Sequence, residues 1–192
     1  LFRSDPNLAY NRYLNSLGYE GHNPWHSWAN AAQGSGGELL SGWEMRNARL
    51  PARIEERHSE TPYMVDRALQ FIAEQGDAPW CLHLSFIKPH WPYIAPAPYH
   101  RLFGAEDCLP ALRRPNERDN AHPVHAAFMQ NPESQVFSRD EVRAAVVPTY
   151  MGLIKQIDDH LGRLFKSLEA SGRFARSEEH TSELQSLAYL VC

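Results

Sequence analysis

Residues 79–93 combine a histidine and a lysine with a loop whose backbone is restricted. An apolar run at 80–86 is followed by Lys88, Pro89, His90 and Pro92. In open α/β proteins, ligands bind at the loops that follow the carboxyl ends of strands, and the two prolines limit the backbone on either side of His90. A histidine held in this way could transfer a proton or donate a hydrogen bond to an anionic substrate. Lys88 could add a second positive charge beside that anion.

The same residues also have ordinary structural interpretations. A backbone carbonyl could satisfy His90, and the spacing alone favours this interpretation because an isolated histidine is rarely diagnostic. Lys88 could lie at the surface or pack its stem against apolar neighbours. Trp91 and Tyr93 are expected to pack in the interior more than to line a pocket.

Two histidine pairs and one acidic pair have spacings that could support chemistry. The pairs are His22 with His26, His122 with His125, and Asp158 with Asp159. Neither histidine pair has an obvious carboxylate or cysteine partner in the sequence, which favours chance surface positions over a metal site. We expect the two aspartates to cap or bridge neighbouring elements, although paired carboxylates can do acid–base work.

Composition restricts the class of protein. The 192 residues are 43% hydrophobic and 22% charged with a net charge of −4, which is ordinary for a globular domain. Without a basic block, a nucleic-acid partner is not expected. No apolar run is long enough to cross a membrane. Cys81, Cys108 and Cys192 do not form a disulfide framework, which favours a reducing, cytoplasmic location.

A helix, a turn and a strand are predicted to position the loop. Thr61 and Pro62 form a helix start, with a hydroxyl cap followed by proline at the first helical position. Gly76 is expected to end this helix, and residues 80–86 are expected to form a buried strand. The apolar face of the helix consists of Val65, Ala68, Leu69 and Ile72. This order is half of a parallel α/β unit.

A second, long helix follows. Ser138 and Glu141 have the spacing of a capping box, Pro148 is expected to kink or split the helix, and Gly172 is expected to end it. Its apolar positions are Val142, Val146, Tyr150, Leu153, Ile157, Leu161, Leu164 and Leu168. By contrast, residues 1–50 show no sustained period, and we expect them to wrap over the sheet and shape the rim of a pocket.

Three stretches occur in a recognisable order: 57–63, 88–93 (Lys-Pro-His-Trp-Pro-Tyr) and 148–164. Together they resemble the sulfatase family of the alkaline phosphatase superfamily, in particular its phosphonate monoester hydrolases and arylsulfatase-like enzymes. The resemblance covers about residues 23–175. It implies an α/β fold, a partial, mixed and mostly parallel sheet flanked by helices, with residues 1–175 as an incomplete catalytic domain.

The resemblance also implies a chemistry. Members use a divalent metal cation and a formylglycine nucleophile, made within a Cys- or Ser-x-Pro-x-Arg motif, to hydrolyse sulfate esters, phosphate diesters or phosphonate monoesters. By resemblance, His90 contacts the sulfuryl or phosphoryl oxygens of a small anionic ester, and Lys88 could bind the same group. Since that motif and the metal ligands of the family are absent from the sequence, we expect a fragment that is inactive alone. A non-catalytic module that binds anions or a protein is the alternative, and a homo-oligomeric parent enzyme stays open.

The two ends of the chain are unusual. Residues 176–186 resemble a translated sequencing adapter, so we expect 176–192 to be non-native. Alternatively, Leu184, Leu187 and Leu190 could form one stripe of a genuine helix. The chain begins at Leu1 and not at methionine, and we expect it to be an internal piece of a larger enzyme.

Overall fold

The computed structural model describes residues 8–114, 116–119 and 121–178, so most of the tail lies outside it. The described residues form α-helices, a two-stranded sheet and short turns of 3₁₀ or π helix. The helices are α1 (Ala9–Ser16), α2 (Glu60–Glu74), α3 (Pro123–Met129), α4 (Pro132–Phe137) and α5 (Asp140–Ala170), and the strands are β1 (Ala31–Gln33) and β2 (Leu39–Ser41).

Helix α2 has the predicted apolar face, with Val65, Ala68 and Ile72 buried. It also ends as predicted, because Gly76 adopts a φ of 56° just beyond it. The predicted start is wrong by two residues: the helix begins at Glu60 and Ser59 precedes it. Proline is tolerated at position 62 because the first-turn N–H groups have no intrahelical partner.

Helix α5 is one continuous helix that contains Pro148. Of the two predicted effects of the proline, the split is therefore wrong, and the kink stays a prediction. The predicted capping box is also wrong, because the hydroxyl of Ser138 donates to the Gln135 carbonyl at 2.8 Å instead of capping α5. Next to the proline, the Thr149 hydroxyl donates to the Ala48 carbonyl at 2.8 Å and ties α5 to the preceding chain. Gly172, with a φ of 66°, follows the end of α5 as predicted.

Residues 8–50 are more regular than predicted. Helix α1 buries Tyr10 and Leu14, and β1 pairs with β2 in an antiparallel hairpin whose register places Ala32 opposite Leu40. These two strands were not predicted. With only three residues each, they are too short for alternation to indicate a strand.

Residues 80–86 lie in no helix or turn and form no strand with any other described residue. Their side chains nevertheless alternate: Trp80, Leu82, Leu84 and Phe86 pack against the apolar cluster between α2 and α5, whereas the intervening residues are exposed. The predicted mostly parallel sheet is not confirmed. A ladder needs hydrogen-bonded neighbours, and the described residues contain one antiparallel pair and one parallel bridge between Pro51 and Ala95.

The loop after this segment connects two apolar clusters. Phe86 packs on the α2–α5 cluster, while Ile94 is fully buried in a second cluster with α1 and the hairpin region. The Ala52 N–H donates to the Ala95 carbonyl at 2.9 Å and fixes the far end of the loop. The loop at 87–94 is therefore anchored at both ends by packing and hydrogen bonds.

Candidate active site

His90 lies at the exposed tip of the 87–94 loop. Its backbone N–H donates to the Ile87 carbonyl at 2.8 Å, which closes a turn. Its Nδ1 lies 2.7 Å from the Trp91 carbonyl oxygen. Because a carbonyl oxygen can only accept, Nδ1 carries the proton in this contact. In the neutral ring Nε2 is then the unprotonated nitrogen, and in the imidazolium it is a second donor.

Lys88 starts the same loop but its side chain turns inward. The residue is only 8% exposed. Its ammonium donates to Asn30 Oδ1 at 2.9 Å and to the Pro92 carbonyl at 2.7 Å. The structure therefore does not bring the two predicted site residues together at one surface: His90 faces solvent, and the Lys88 ammonium is held inside.

Aromatic rings cover the surface beside His90. The Trp91 indole N–H donates to the Trp43 carbonyl at 3.1 Å, and the two indole rings meet edge to face with centroids 5.0 Å apart. Tyr93 packs near Phe137 and Tyr150, with ring centroids 6.3 and 6.2 Å away. Trp91 thus helps to anchor the loop, while Tyr93 packs between the loop and helices α4 and α5, as expected for a packing role.

A buried polar cluster lies between α5 and the turn before α2, and the sequence reasoning missed it. Gln156 Nε2 donates to Glu56 Oε1 at 2.7 Å and to Ser59 Oγ at 2.8 Å. His160 Nε2 lies 2.9 Å from Glu56 Oε1, and Arg163 donates to His160 Nδ1 at 2.8 Å. The sequence does contain a pattern that indicates this cluster: Gln156, His160 and Arg163 follow one another at spacings of four and three residues, which places them on one side of α5.

The contacts within this cluster set the pKa of Glu56 and the position of the proton on His160. Burial would raise the pKa of Glu56, but hydrogen bonds from His160 and Gln156 outweigh it and leave the pKa below its ordinary value. Since Arg163 donates to Nδ1, the Nε2 of His160 is the protonated nitrogen that faces Glu56. The cluster is thus a satisfied structural network in which each polar group has a partner.

The predicted bridging role of the acidic pair on α5 agrees with its contacts. Asp158 pairs with Lys155 at 3.3 Å. Asp159 also pairs with Lys155 and accepts from the Tyr99 hydroxyl at 2.9 Å, which joins α5 to the Tyr99–Arg101 turn. The hydrogen bond from Lys155 lowers the pKa of Asp159.

Among the described side chains, neither histidine pair belongs to a group that could bind a metal ion. The Val124 N–H donates to His122 Nδ1 at 3.3 Å at the start of α3, and the Trp43 indole N–H donates to His26 Nδ1 at 3.4 Å. Within residues 8–178 apart from 115 and 120, no three His, Cys, Asp or Glu side chains form a group that could hold a metal ion. These residues therefore do not fit a metal cofactor.

The two cysteines among the described residues do not provide an activated nucleophile either. Cys81 is exposed and Cys108 is half-buried, and both are free thiols. Burial raises the pKa of Cys108, which is opposite to the shift of a reactive thiolate. Pro110 follows Cys108 at motif spacing, but Leu112 stands where the formylglycine motif has arginine.

Sequence and structure comparisons identify relatives of the chain. The sulfatase family profile matches residues 4–176. A multifunctional alkaline phosphatase superfamily protein, PehA of Trinickia caryophylli, is 33% identical over 136 residues, which are 65% of this chain and 26% of that protein. Among the part of the chain that the structure describes, no helix is long and apolar enough to span a bilayer.

Two solved structures share the fold. A phosphonate monoester hydrolase from Silicibacter pomeroyi superposes with a TM-score of 0.69 at 23% identity, and one from Agrobacterium radiobacter with 0.67 at 22% identity. Each match covers 86% of this chain and 33% of the solved chain. The chain therefore spans about a third of the length of these structural relatives and about a quarter of the curated one.

Proposed function

Because the chain belongs to the sulfatase family, we propose that it supplies one wall of the active site of a hydrolase of sulfate esters, phosphate diesters or phosphonate monoesters. The observation that carries the proposal is the exposed His90 ring, whose Nδ1 is held by the Trp91 carbonyl. His90 is the residue assigned to contact the ester.

The geometry of His90 gives it a specific task. With Nδ1–H committed to Trp91, a second proton can sit only on Nε2. The imidazolium then directs one N–H donor outward. Hydrolysis places negative charge on the oxygens around sulfur or phosphorus and on the leaving oxygen, and a positioned donor stabilises that charge. If the proton moves to the leaving oxygen, the departing alcohol is neutral and the ring returns to its neutral form.

The other catalytic parts are proposed to lie elsewhere in the intact enzyme. Sulfatase-family and phosphonate hydrolase enzymes generally depend on a metal, but the described residues hold no fitting ligand group. The sequence also lacks a Cys- or Ser-x-Pro-x-Arg motif. No step is therefore assigned to a metal on this chain, and we propose that the isolated chain is inactive. The coverage of about a third of each solved relative supports this proposal.

The alternating segment at 80–86 supports the same proposal. One face is packed on the cluster between α2 and α5 and alternate residues are exposed, as in a strand of a larger sheet. We propose that neighbouring strands of the intact enzyme pair with it. His90 would then follow the carboxyl end of a strand, where α/β proteins bind their ligands.

The test is kinetic and uses the intact enzyme. An aryl sulfate, an aryl phosphate diester and an aryl phosphonate monoester are assayed with wild type and with His90→Ala. We expect kcat to fall by about a hundredfold or more, the usual cost of a lost transition-state donor. His83→Ala is the matched control, because His83 is an exposed histidine seven residues before His90, in the 80–86 segment, and it should leave kcat unchanged.

Two results would contradict the proposal. Absence of turnover on all three esters by the wild-type enzyme would reject the hydrolase and favour a non-catalytic module that binds anions or a protein. Turnover that is equal in His90→Ala and His83→Ala would remove His90 from the reaction.

A further inference from the structure

We propose that Lys88 is a positioning residue for His90: its buried ammonium clamps the loop that carries the imidazole and does not itself bind the ester. This inference rests on the function proposed above for His90. It assigns Lys88 a role that differs from the substrate contact predicted from sequence.

The Lys88 side chain links the start of the loop to its far side by a hydrogen bond. Lys88 Nζ donates to the carbonyl of Pro92, four residues along the chain, at 2.7 Å. His90 lies in the middle of this span. The Trp91 carbonyl that accepts from His90 Nδ1 belongs to the peptide group directly before Pro92. Fixing the Pro92 carbonyl therefore fixes the orientation of the acceptor that sets the His90 tautomer.

The second bond of the ammonium ties the loop to a rigid support. Asn30, which accepts from Lys88 at 2.9 Å, is 1% exposed. Its side-chain amide donates to the Trp25 carbonyl at 3.0 Å, and its own carbonyl accepts from the Gly42 N–H at 2.9 Å. The clamp thus joins the His90 loop to the hairpin and to the turn at Trp25–Ala29.

The surroundings of Lys88 exclude a substrate from its ammonium. The cavity that Lys88 lines together with Asn30, Glu60 and Gln156 has a volume of about 10 Å³. Such a space holds about one water molecule, which is smaller than a sulfate or phosphonate group. His90 is exposed, whereas Lys88 is 8% exposed. The two side chains of one loop therefore serve different purposes.

Removal of the charge has a direct consequence for His90. In Lys88→Met, Asn30 Oδ1 loses its ammonium donor. The Pro92 carbonyl loses its shorter hydrogen bond, at 2.7 Å, and keeps only the one from the Ile94 N–H at 3.1 Å, so it is held less firmly. The Trp91 peptide is then free to turn, and the His90 ring loses the acceptor that selects Nδ1–H. The outward-facing nitrogen of the neutral ring would then carry the proton in part of the molecules.

The first test reads the tautomer and needs no activity. In the ¹⁵N-histidine-labelled chain, long-range ¹H–¹⁵N spectra at about pH 8, where histidine is ordinarily neutral, report which ring nitrogen is protonated. His90→Gln assigns the signal. We expect the Nδ1–H form of His90 in wild type and a shift toward Nε2–H in Lys88→Met. Lys166→Met, which alters an exposed lysine on α5, is the matched control and should keep the wild-type signal.

Three outcomes overturn the proposal. The first is an identical His90 tautomer in Lys88→Met and Lys166→Met. The second is a wild-type ring with the proton on Nε2. If circular dichroism shows that Lys88→Met does not fold, Lys88→Arg replaces it, since arginine keeps the charge and the donors. Retention of Nδ1–H in that variant is expected, and its loss is the third contradiction.

The second test separates positioning from substrate binding in the intact enzyme. A clamp acts through His90, so Lys88→Met should lower kcat by about tenfold to a hundredfold, the scale of a misplaced catalytic group, with KM little changed. A substrate-binding lysine would instead raise KM. If His90→Ala has no kinetic effect, the proposed function fails, but the tautomer measurement still decides whether Lys88 is the clamp.

Discussion

The substitution Gly152→Ala tests how closely α5 must approach the chain that follows the His90 loop. An alanine Cβ at 152 would lie 2.2 Å from the Tyr99 carbonyl oxygen and 3.1 Å from its carbonyl carbon. The two backbones would have to separate by about 1 Å to reach van der Waals contact. The obstacle is a backbone carbonyl and cannot rotate away as a side chain would.

The expected magnitude follows from two opposing effects. Overpacking costs about 1–3 kcal/mol, and a rigid obstacle favours the upper end of that range. Alanine favours the helix over glycine by about 1 kcal/mol. We therefore expect the free energy of unfolding to fall by about 2 kcal/mol in Gly152→Ala.

The same helix offers a matched control. Nothing lies within 4 Å of a Cβ built at Gly162, so Gly162→Ala causes no overpacking. Only the higher helix propensity of alanine remains, and it should raise the free energy of unfolding by about 1 kcal/mol. Urea unfolding followed by circular dichroism measures both variants at one temperature and pH. Equal effects of the same sign at 152 and 162 would refute the packing of α5 on the Tyr99–Arg101 turn.

Two further predictions concern stability. Burial, with Arg101 and Arg49 nearby, lowers the pKa of His100 below its ordinary 6.5; the unfolded chain then binds the proton more readily, so stability should fall as pH decreases through about 6.5. Urea midpoints across this range should show a shallower fall in His100→Gln than in wild type, and an unchanged profile would contradict the burial. On the 80–86 segment, Leu84→Ala should cost about 1–2 kcal/mol for a half-buried leucine, whereas His83→Ala should change stability by less than about 0.5 kcal/mol. Similar losses at both positions would show that the alternation is wrong.

Local patterns in the sequence predicted the features that depend on local chemistry. The apolar face of α2 and the glycines at 76 and 172 were predictable because periodicity and positive φ are properties of short stretches. The sequence predicted a buried strand at 80–86, but only alternate residues of this segment are partly buried, and it pairs with no other described residue. Its pairing was not predictable, because a strand needs neighbours that no local pattern supplies.

The features that the sequence did not predict depend on tertiary contacts. Lys88 was assigned to a substrate because a lysine beside a candidate histidine suggests anion binding, but its ammonium bonds to Asn30, which is 58 positions earlier. The cluster of Glu56, Gln156 and His160 joins residues about a hundred positions apart. Such contacts become visible only when α5 packs against the turn before α2.

The most direct measurement of the role of His90 is a crystal structure of the intact enzyme with orthovanadate bound as a mimic of the tetrahedral centre. We expect His90 Nε2 within about 2.7–3.1 Å of a vanadate oxygen, the distance of a stabilising donor, with Nδ1 still on the Trp91 carbonyl and the Lys88 ammonium still on Asn30. A His90 ring directed away from the vanadate would contradict the catalytic role of His90, and a Lys88 ammonium in contact with the vanadate would contradict the clamp.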